Sequence, residues 1–269
     1  MNKDKLEVQK QWDTNPCGTG EYLAELEYAS IDWFDEIRRS RYEVTDRWIK
    51  EVIDFTVANN KKKLLEIGHG VGTDLLTFCE AGAEVYGIDI TESHHNLAKL
   101  NFELHRRPCI LKLCDSANID FPSDFFDYVY SLGVLHHTPD TVRCISEAYR
   151  VLKPGGKLIL GMYHTYSAFH IFSMLIYKGL IKGELKKFGY KGLMSTVEYG
   201  ADGVDIKPLV KTYSRLQLRH ILADFSKFEI KVAHFKRTHI PILGKLIPNF
   251  MEKLLEPYLG WYLIAFASK

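Results

Sequence analysis

Several things are missing from this chain of 269 residues. Charge bias is one: 35 Lys and Arg stand against 34 Asp and Glu, for a formal net charge of +1. No global field gathers polyanions, so nucleic acid is not the expected partner. Paired cysteines are another. Cys17, Cys79, Cys109, Cys114 and Cys144 form an odd set without a C-x-x-C pair, which argues against a disulfide framework and fits a reducing compartment. The opening MNKDKLEVQKQWD lacks the apolar stretch of a secretory leader, and no apolar run approaches membrane-spanning length. Internal repeats and low-complexity segments are absent as well. The expectation is a soluble, cytoplasmic protein, monomer or homodimer. At this length roughly three quarters of the unfolded surface is buried on folding, so a core needs no staple.

What is present is an alternation. From residue 62 to 164, short apolar runs alternate with amphipathic stretches, the pattern of a parallel sheet covered by helices on both faces. KLLEIG (63–68), AEVYGIDI (83–90), CILKLCD (109–115), FDYVYSLGV (126–134) and KLILGMYH (157–164) read as strands. TDLLTFCEAG (73–82), SHHNLAKLNFELH (93–105) and PDTVRCISEAYRVLKPGG (139–156) read as helices between them. The pattern resumes with a helix at 214–225, opened by Ser214, and strands at 228–235 and 262–268. Residues 1–60 read as an N-terminal helical segment and lid ahead of a domain at 61–269. Insertions at about 165–213 and 236–259 read as caps, the first being too long for an ordinary connection.

The first strand ends in Gly68-His69-Gly70-Val71-Gly72 and feeds a helix, which leaves bare backbone at the carboxyl edge of the sheet, where open α/β folds bind ligands. A dinucleotide fingerprint G-x-G-x-x-G needs its last glycine at 73, which is Thr73. Glu66, two positions before the first glycine, suits a ligand bearing an ammonium or sulfonium better than a pyrophosphate. Asp89 ends the second strand, 21 residues after Gly68, where a carboxylate can hold a ribose diol. Asp115 ends the third and is followed by Ser116 and Ala117. Three carboxylates at strand ends on one sheet edge form a far more specific constellation than the glycines.

LLEIGHGVGTD, VYGIDIT, DSANIDFPSDFFDYVYSLGVLHHTPD and AYRVLKPGGKLIL, spaced as they are, resemble the signature blocks of class I S-adenosylmethionine-dependent methyltransferases, in particular the type 11 small-molecule family. The likeness covers about residues 60–164, and more loosely 214–268. It implies a Rossmann-like sheet of seven strands, mostly parallel with the last antiparallel, and S-adenosylmethionine as cofactor. Carried over by position, it implies that Gly68, Gly70 and Gly72 approach the methionine part, Asp89 and the adjacent Ile90 the ribose, Asp115, Ser116 and Ala117 the adenine, and Leu132 and Gly133 the floor under the sulfonium. His69 departs from the small residue of many relatives, and its side chain is expected to point away from the cofactor.

The acceptor side is less legible. His136 and His137 follow the fourth strand at the mouth of the site, where a neutral imidazole can accept a proton; the plainer reading is a turn histidine before the helix at Pro139. His137 is preferred. Tyr163 and His164 are expected to face the same mouth. His94 and His95 are expected to be solvated, Asp89 to leave helix capping to Thr91 and Ser93, and no metal is expected, since no His, Cys and Asp cluster has ligand spacing. Trp12, Tyr22, Tyr28 and Tyr42 read as packing residues or as part of a lid. The apolar runs in the two insertions suggest core, an apolar acceptor, or a surface resting on a membrane, the last held behind the others. The region after the fourth strand lacks the Asn/Asp-Pro-Pro-aromatic run of base methyltransferases and the glutamate pair of protein arginine methyltransferases. A small-molecule acceptor remains, with O- or N-methylation ahead of C-methylation of a quinone-like or lipid acceptor. The rivals are a nicotinamide oxidoreductase and a catalytically silent S-adenosylmethionine-binding subunit.

Overall fold

The apolar runs become strands because β-branched and aromatic residues pack on a pleated, doubly covered surface. A computed structural model describes residues 3–14, 16, 18–198 and 208–269. Ahead of the sheet stand α1 (Lys3–Thr14), α2 (Ile31–Arg39) and α3 (Trp48–Val52). Ser30 opens α2 by accepting the Trp33 amide at 3.2 Å, a cap. Then come β1 (Lys63–Ile67), α4 (Thr73–Glu80), β2 (Glu84–Asp89), α5 (Glu92–Leu104), β3 (Ile110–Leu113), β4 (Phe126–Leu132), α6 (Thr141–Val151) and β5 (Leu152–Tyr163). A helix at Phe169–Ile181 and α7 (Glu184–Ser195) form the first insertion, and α7 is broken at Gly189, where φ is 68°. The chain closes with α8 (Arg215–Ile221), β6 (Lys227–Ala233), α9 (Met251–Leu259) and β7 (Tyr262–Ser268).

The seven strands lie in the order β3-β2-β1-β4-β5-β7-β6. β1 to β5 pair in parallel, and β7 inserts antiparallel to both β5 and β6. β1 sits at the centre with Leu64, Leu65, Glu66 and Ile67 all buried. Its alternation sends Leu65 and Ile67 into a core with Val129, Leu158 and Leu218, and Leu64 into the opposite core with Phe78, Tyr130 and Ile159. Trp48, Ile49 and Phe55 belong to that second core, so the residues before β1 are built into the sheet's packing. Register places Glu66 beside Gly87 of β2 and Tyr130 of β4, which fixes its carboxyl at the strand switch between β1 and β4.

Two boundaries differ from the sequence expectation. The helix expected over 139–156 spans only α6, because Leu152 already pairs with Phe126 across an irregular register and Pro154-Gly155-Gly156 follows inside an extended β5. Thr91 precedes α5 without capping it. Its hydroxyl donates instead to Asp89 at 2.8 Å, and the Ser93 amide is served by Asp13 of α1 at 3.2 Å. Cys17 and the stretch 199–207 of the first insertion lie outside the described residues; Cys79, Cys109, Cys114 and Cys144 are free thiols.

Candidate cofactor and acceptor site

A cavity of about 730 Å³ opens at the carboxyl ends of the central strands, within the size range of small-molecule sites. The glycine turn is its rim. Gly68, Gly70 and Gly72 have φ of 73°, 54° and 83°, conformations that side chains resist. At Gly68 an added Cβ would stand 2.5 Å from the Val134 methyls. Gly68 and Gly70 line the cavity, as do Ile90, Asp115, Ser116, Leu132 and Gly133. Gly72 does not; it opens α4 and packs against α5, an added Cβ meeting Ala98 at 3.3 Å. Ala117 is also off the lining, its amide donating to Asp115 Oδ1 at 2.9 Å. His69 lays its ring over Gly87, where an added Cβ would come within 2.7 Å of Cδ2.

The three strand-end carboxylates have different environments. Glu66 is buried and its Oε2 has no hydrogen-bond partner. Burial and the nearby Asp74, partly offset by Arg41, push its carboxyl well above the usual range. Asp89 is buried too, and burial would also raise it. The His94 contact, His69 and the Thr91 amide outweigh that and hold it below the usual range. Its Oδ1 accepts the Thr91 amide and hydroxyl at 2.9 and 2.8 Å, and Oδ2 accepts the Gly70 amide at 3.1 Å and faces His94 Nδ1 at 3.4 Å. The four acceptor positions of the carboxylate are thus engaged, the contact with His94 being the longest. His94, expected in solvent, is buried on the face of α5 that meets Trp12 of α1. Asp115 is bonded by Lys5 of α1. The same helix donates Gln9 Nε2 to the Ile90 carbonyl at 3.0 Å and sets Trp12 at 5.7 Å from the His137 ring. α1 therefore lies over the carboxyl ends of β2 and β3.

The far end of the cavity is lined by Arg41, Asp46, Trp48, His137, Tyr163, Glu198 and Tyr262. Arg41 makes a bidentate pair with Asp74 at 2.7 Å for both contacts, and Asp74 also accepts the Tyr42 and Tyr130 hydroxyls at 2.7 Å. His137 Nδ1 lies 2.7 Å from the Leu209 carbonyl. A carbonyl only accepts, so Nδ1 carries hydrogen and Nε2 faces Glu198 Oε1 at 3.4 Å. Glu198 also accepts the Tyr163 hydroxyl at 2.8 Å. An unprotonated Nε2 and a carboxylate oxygen repel, so the pair has room for one proton or cation between them.

His136 is off the lining: fully buried, it lies under the Tyr163 ring at 3.7 Å with both nitrogens unpartnered, and burial pushes it well below its ordinary value. Of this pair it is His137 that faces the cavity, which His69 and His94 also line. His164 points to the other side of β5 from Tyr163, its Nδ1 3.1 Å from the Gly260 carbonyl. Chain spacing hid one cluster: among the described residues, His136, His137 and Glu198 bring ligand-capable atoms within 4.8 Å of one another. Glu198 had no sequence signal. Asp74 stood in the quoted GVGTD run, but nothing in the sequence tied it to Arg41.

A doubly wound sheet with a bare first turn and acidic strand ends defines the class of Rossmann-like nucleoside-cofactor proteins. Within it, residues 65–160 match the family described as methyltransferase domain. A phosphoethanolamine N-methyltransferase 2 of Caenorhabditis elegans is 35% identical over 103 residues, 37% of this chain and 23% of that protein. A demethylmenaquinone methyltransferase of Streptomyces avermitilis is 32% identical over 137 residues, 47% of this chain and 57% of that protein. The chain thus spans less than two thirds of the length of either relative. The crystal structure of an S-adenosylmethionine-dependent methyltransferase from Archaeoglobus fulgidus shares the fold, with TM-score 0.55 and 19% identity over 90% of this chain and 100% of that one. Residues 65–160 are thus similar to a methyltransferase domain, a family whose methyl donor is S-adenosylmethionine. The residues fit that donor: Glu66 Oε2, buried at the cavity wall without a hydrogen-bond partner, would meet a cationic or hydrogen-donating group.

Proposed function

We propose that the protein methylates a small-molecule acceptor at this cavity, with Glu66, Gly68, Gly70, Asp89, Ile90, Asp115, Ser116, Leu132 and Gly133 holding the donor. When bound, S-adenosylmethionine supplies an electrophilic methyl on a sulfonium. The protein's own work is then alignment and exclusion of water. α1 and the first insertion close over the cavity, and the aromatic walls Trp12, Trp48, Tyr163 and Tyr262 remove solvent from it. His137 Nε2 receives the proton that an oxygen or nitrogen acceptor gives up, and Glu198 stabilises the imidazolium that results. The Leu209 carbonyl holds Nδ1 as the donor, so that Nε2, beside Glu198, is the nitrogen that takes up the proton.

The observation that carries this reading is the convergence of three strand-end carboxylates and the glycine turn on one cavity inside a methyltransferase domain. The relatives point to N-methylation in one case and to a quinone in another by their names alone, which keeps both acceptor chemistries in the assay. The free thiols suit a cytosolic setting. The test is calorimetric titration with S-adenosylmethionine, followed by formation of S-adenosylhomocysteine with amine, phenol and hydroquinone acceptors. Heat of binding plus turnover that falls at least tenfold in His137→Ala, with affinity for the donor kept, is the expected result. Binding without turnover on any acceptor points to the silent subunit, and absence of binding removes the proposal.

A further inference from the structure

The second insertion carries its apolar side chains on the wrong side for a folded core. Ile242, Leu243, Leu246, Phe250, Leu254 and Tyr258 are 60 to 78% exposed. Phe250, Leu254 and Tyr258 follow one another at a spacing of four, so they form a single stripe along α9. No residue of α9 is buried. The side toward the protein is mixed: Met251, Leu255 and Leu259 are half-buried there beside Glu252, which accepts the Arg237 amide at 2.9 Å, and Glu256, which accepts the His234 amide at 2.7 Å. The helix therefore carries a second apolar face, which points outward. Just before it, Ile242 holds a φ of 68°, rare for a β-branched residue, in the turn that exposes its side chain.

Scattered exposed apolar residues are ordinary on a protein surface, whereas a contiguous set marks an interaction. The charges around this set select the partner. Between 240 and 259 both carboxylates are spent on backbone amides, while Lys245 and Lys253 are exposed, the latter with Glu51 at 3.8 Å. An apolar stripe with outward cations and no exposed anion in the same segment is the complement of an anionic lipid surface. From these observations we infer that residues 242–258 are a docking knuckle that inserts into the headgroup and acyl boundary of an anionic bilayer. No helix among the described residues is long and apolar enough to cross a membrane, so the protein rests on the surface. The knuckle is rooted at the cavity: Lys236 donates to the Thr45 carbonyl at 2.9 Å, and His234 stacks on Tyr262, both Thr45 and Tyr262 being cavity-lining residues.

The test is sedimentation of the full chain with vesicles of phosphatidylcholine, with and without phosphatidylglycerol. Binding is expected to be strongest with the anionic lipid. Leu246→Glu, Phe250→Glu and Leu254→Glu are each expected to weaken it about tenfold or more, the scale of one fully buried large apolar side chain. Lys245→Glu is expected to weaken it at least about fivefold on the anionic vesicles alone, the scale of one cation near a charged surface. The thermal midpoint and donor binding of these exposed-site variants should match the parent, which separates docking from folding and from the methyltransferase reading. A parent protein that stays in the supernatant with both vesicle types overturns the inference. So does a dimer in sedimentation equilibrium that the same substitutions dissociate while vesicle binding stays unchanged, since a second copy would then be the occupant.

Discussion

The contact between Arg41 and Asp74 ties the segment before the sheet to the first turn of α4, directly behind the glycine turn. Arg41→Ala leaves the Asp74 carboxylate buried with only the Tyr42 and Tyr130 hydroxyls. Breaking a buried pair by removing one partner costs about 3–5 kcal/mol. The Arg41 side chain is 25% exposed, which places the expected loss near the lower bound, about 3 kcal/mol. For a protein of this size that is a fall in Tm of roughly 6–12 °C. Urea unfolding at neutral pH measures it directly. Asp74→Asn in the Arg41→Ala background removes the stranded charge and is expected to recover about 1–3 kcal/mol of the loss as coupling energy.

The dependence on pH separates charge from packing. In the parent, burial would raise Asp74, but Arg41 and the two tyrosine hydroxyls hold it below the ordinary value. Its contribution is therefore present above the unfolded carboxylate pKa, about 3.9, and is lost as pH falls through the lowered folded value. In Arg41→Ala burial is opposed only by the two hydroxyls, and the folded value is expected to rise above the unfolded one. That penalty is full at neutral pH and fades as pH drops toward 4. The stability gap between the two proteins should narrow over that interval. A gap that stays constant, or a double variant that loses the full sum of the singles, would refute the assignment and leave only the packing of the arginine stem.

Other expectations follow from the site. Asp89→Asn should weaken donor affinity by about tenfold to a hundredfold in calorimetry, the scale of one charged hydrogen bond; unchanged affinity removes the ribose assignment. Glu66 is held above its usual range in the free site, and a cationic ligand must lower it, so binding should release a proton and affinity should rise with pH through that raised value. Calorimetry in two buffers of different ionisation enthalpy reads this, and Glu66→Gln should abolish the slope. Lys5→Ala should speed donor exchange by up to about fivefold in stopped flow, since a partly exposed ion pair contributes at most about 1 kcal/mol; equal rates exclude α1 as a latch. Dialysis against EDTA should leave turnover unchanged. Loss of turnover with rescue by Zn²⁺ or Mn²⁺ would make His136, His137 and Glu198 metal ligands rather than a proton relay.

Strand positions and strand ends were legible because each strand announces itself locally. Glu66, Asp89 and Asp115 could be placed on one edge from their positions at the ends of three apolar runs, and the cavity lies there. Contacts between segments were not legible. Lys5 meets Asp115 across 110 residues and Arg41 meets Asp74 across 33, and no local pattern says which of many surface charges will meet. His94 was misplaced for the same reason. It shares the inner face of α5 with Leu97, Ala98 and Asn101, and there it meets Asp89 of β2 and Trp12 of α1, contacts that the helix read by itself does not show.

The second insertion exposes a deeper limit. Spacing tells which residues share a face of a helix, and composition marked this insertion as apolar. It does not tell what that face meets. Glu252 and Glu256 could as well have faced water, with Phe250, Leu254 and Tyr258 packed on β6, and the sequence would read the same. The direction is set by the amides of His234, Phe235 and Arg237, which need acceptors where the chain leaves β6, and the two glutamates supply them. A buried amide left without an acceptor costs about as much as a large apolar side chain gains by burial. The backbone's requirement therefore turns the helix, and the apolar stripe is left facing outward for another phase to cover.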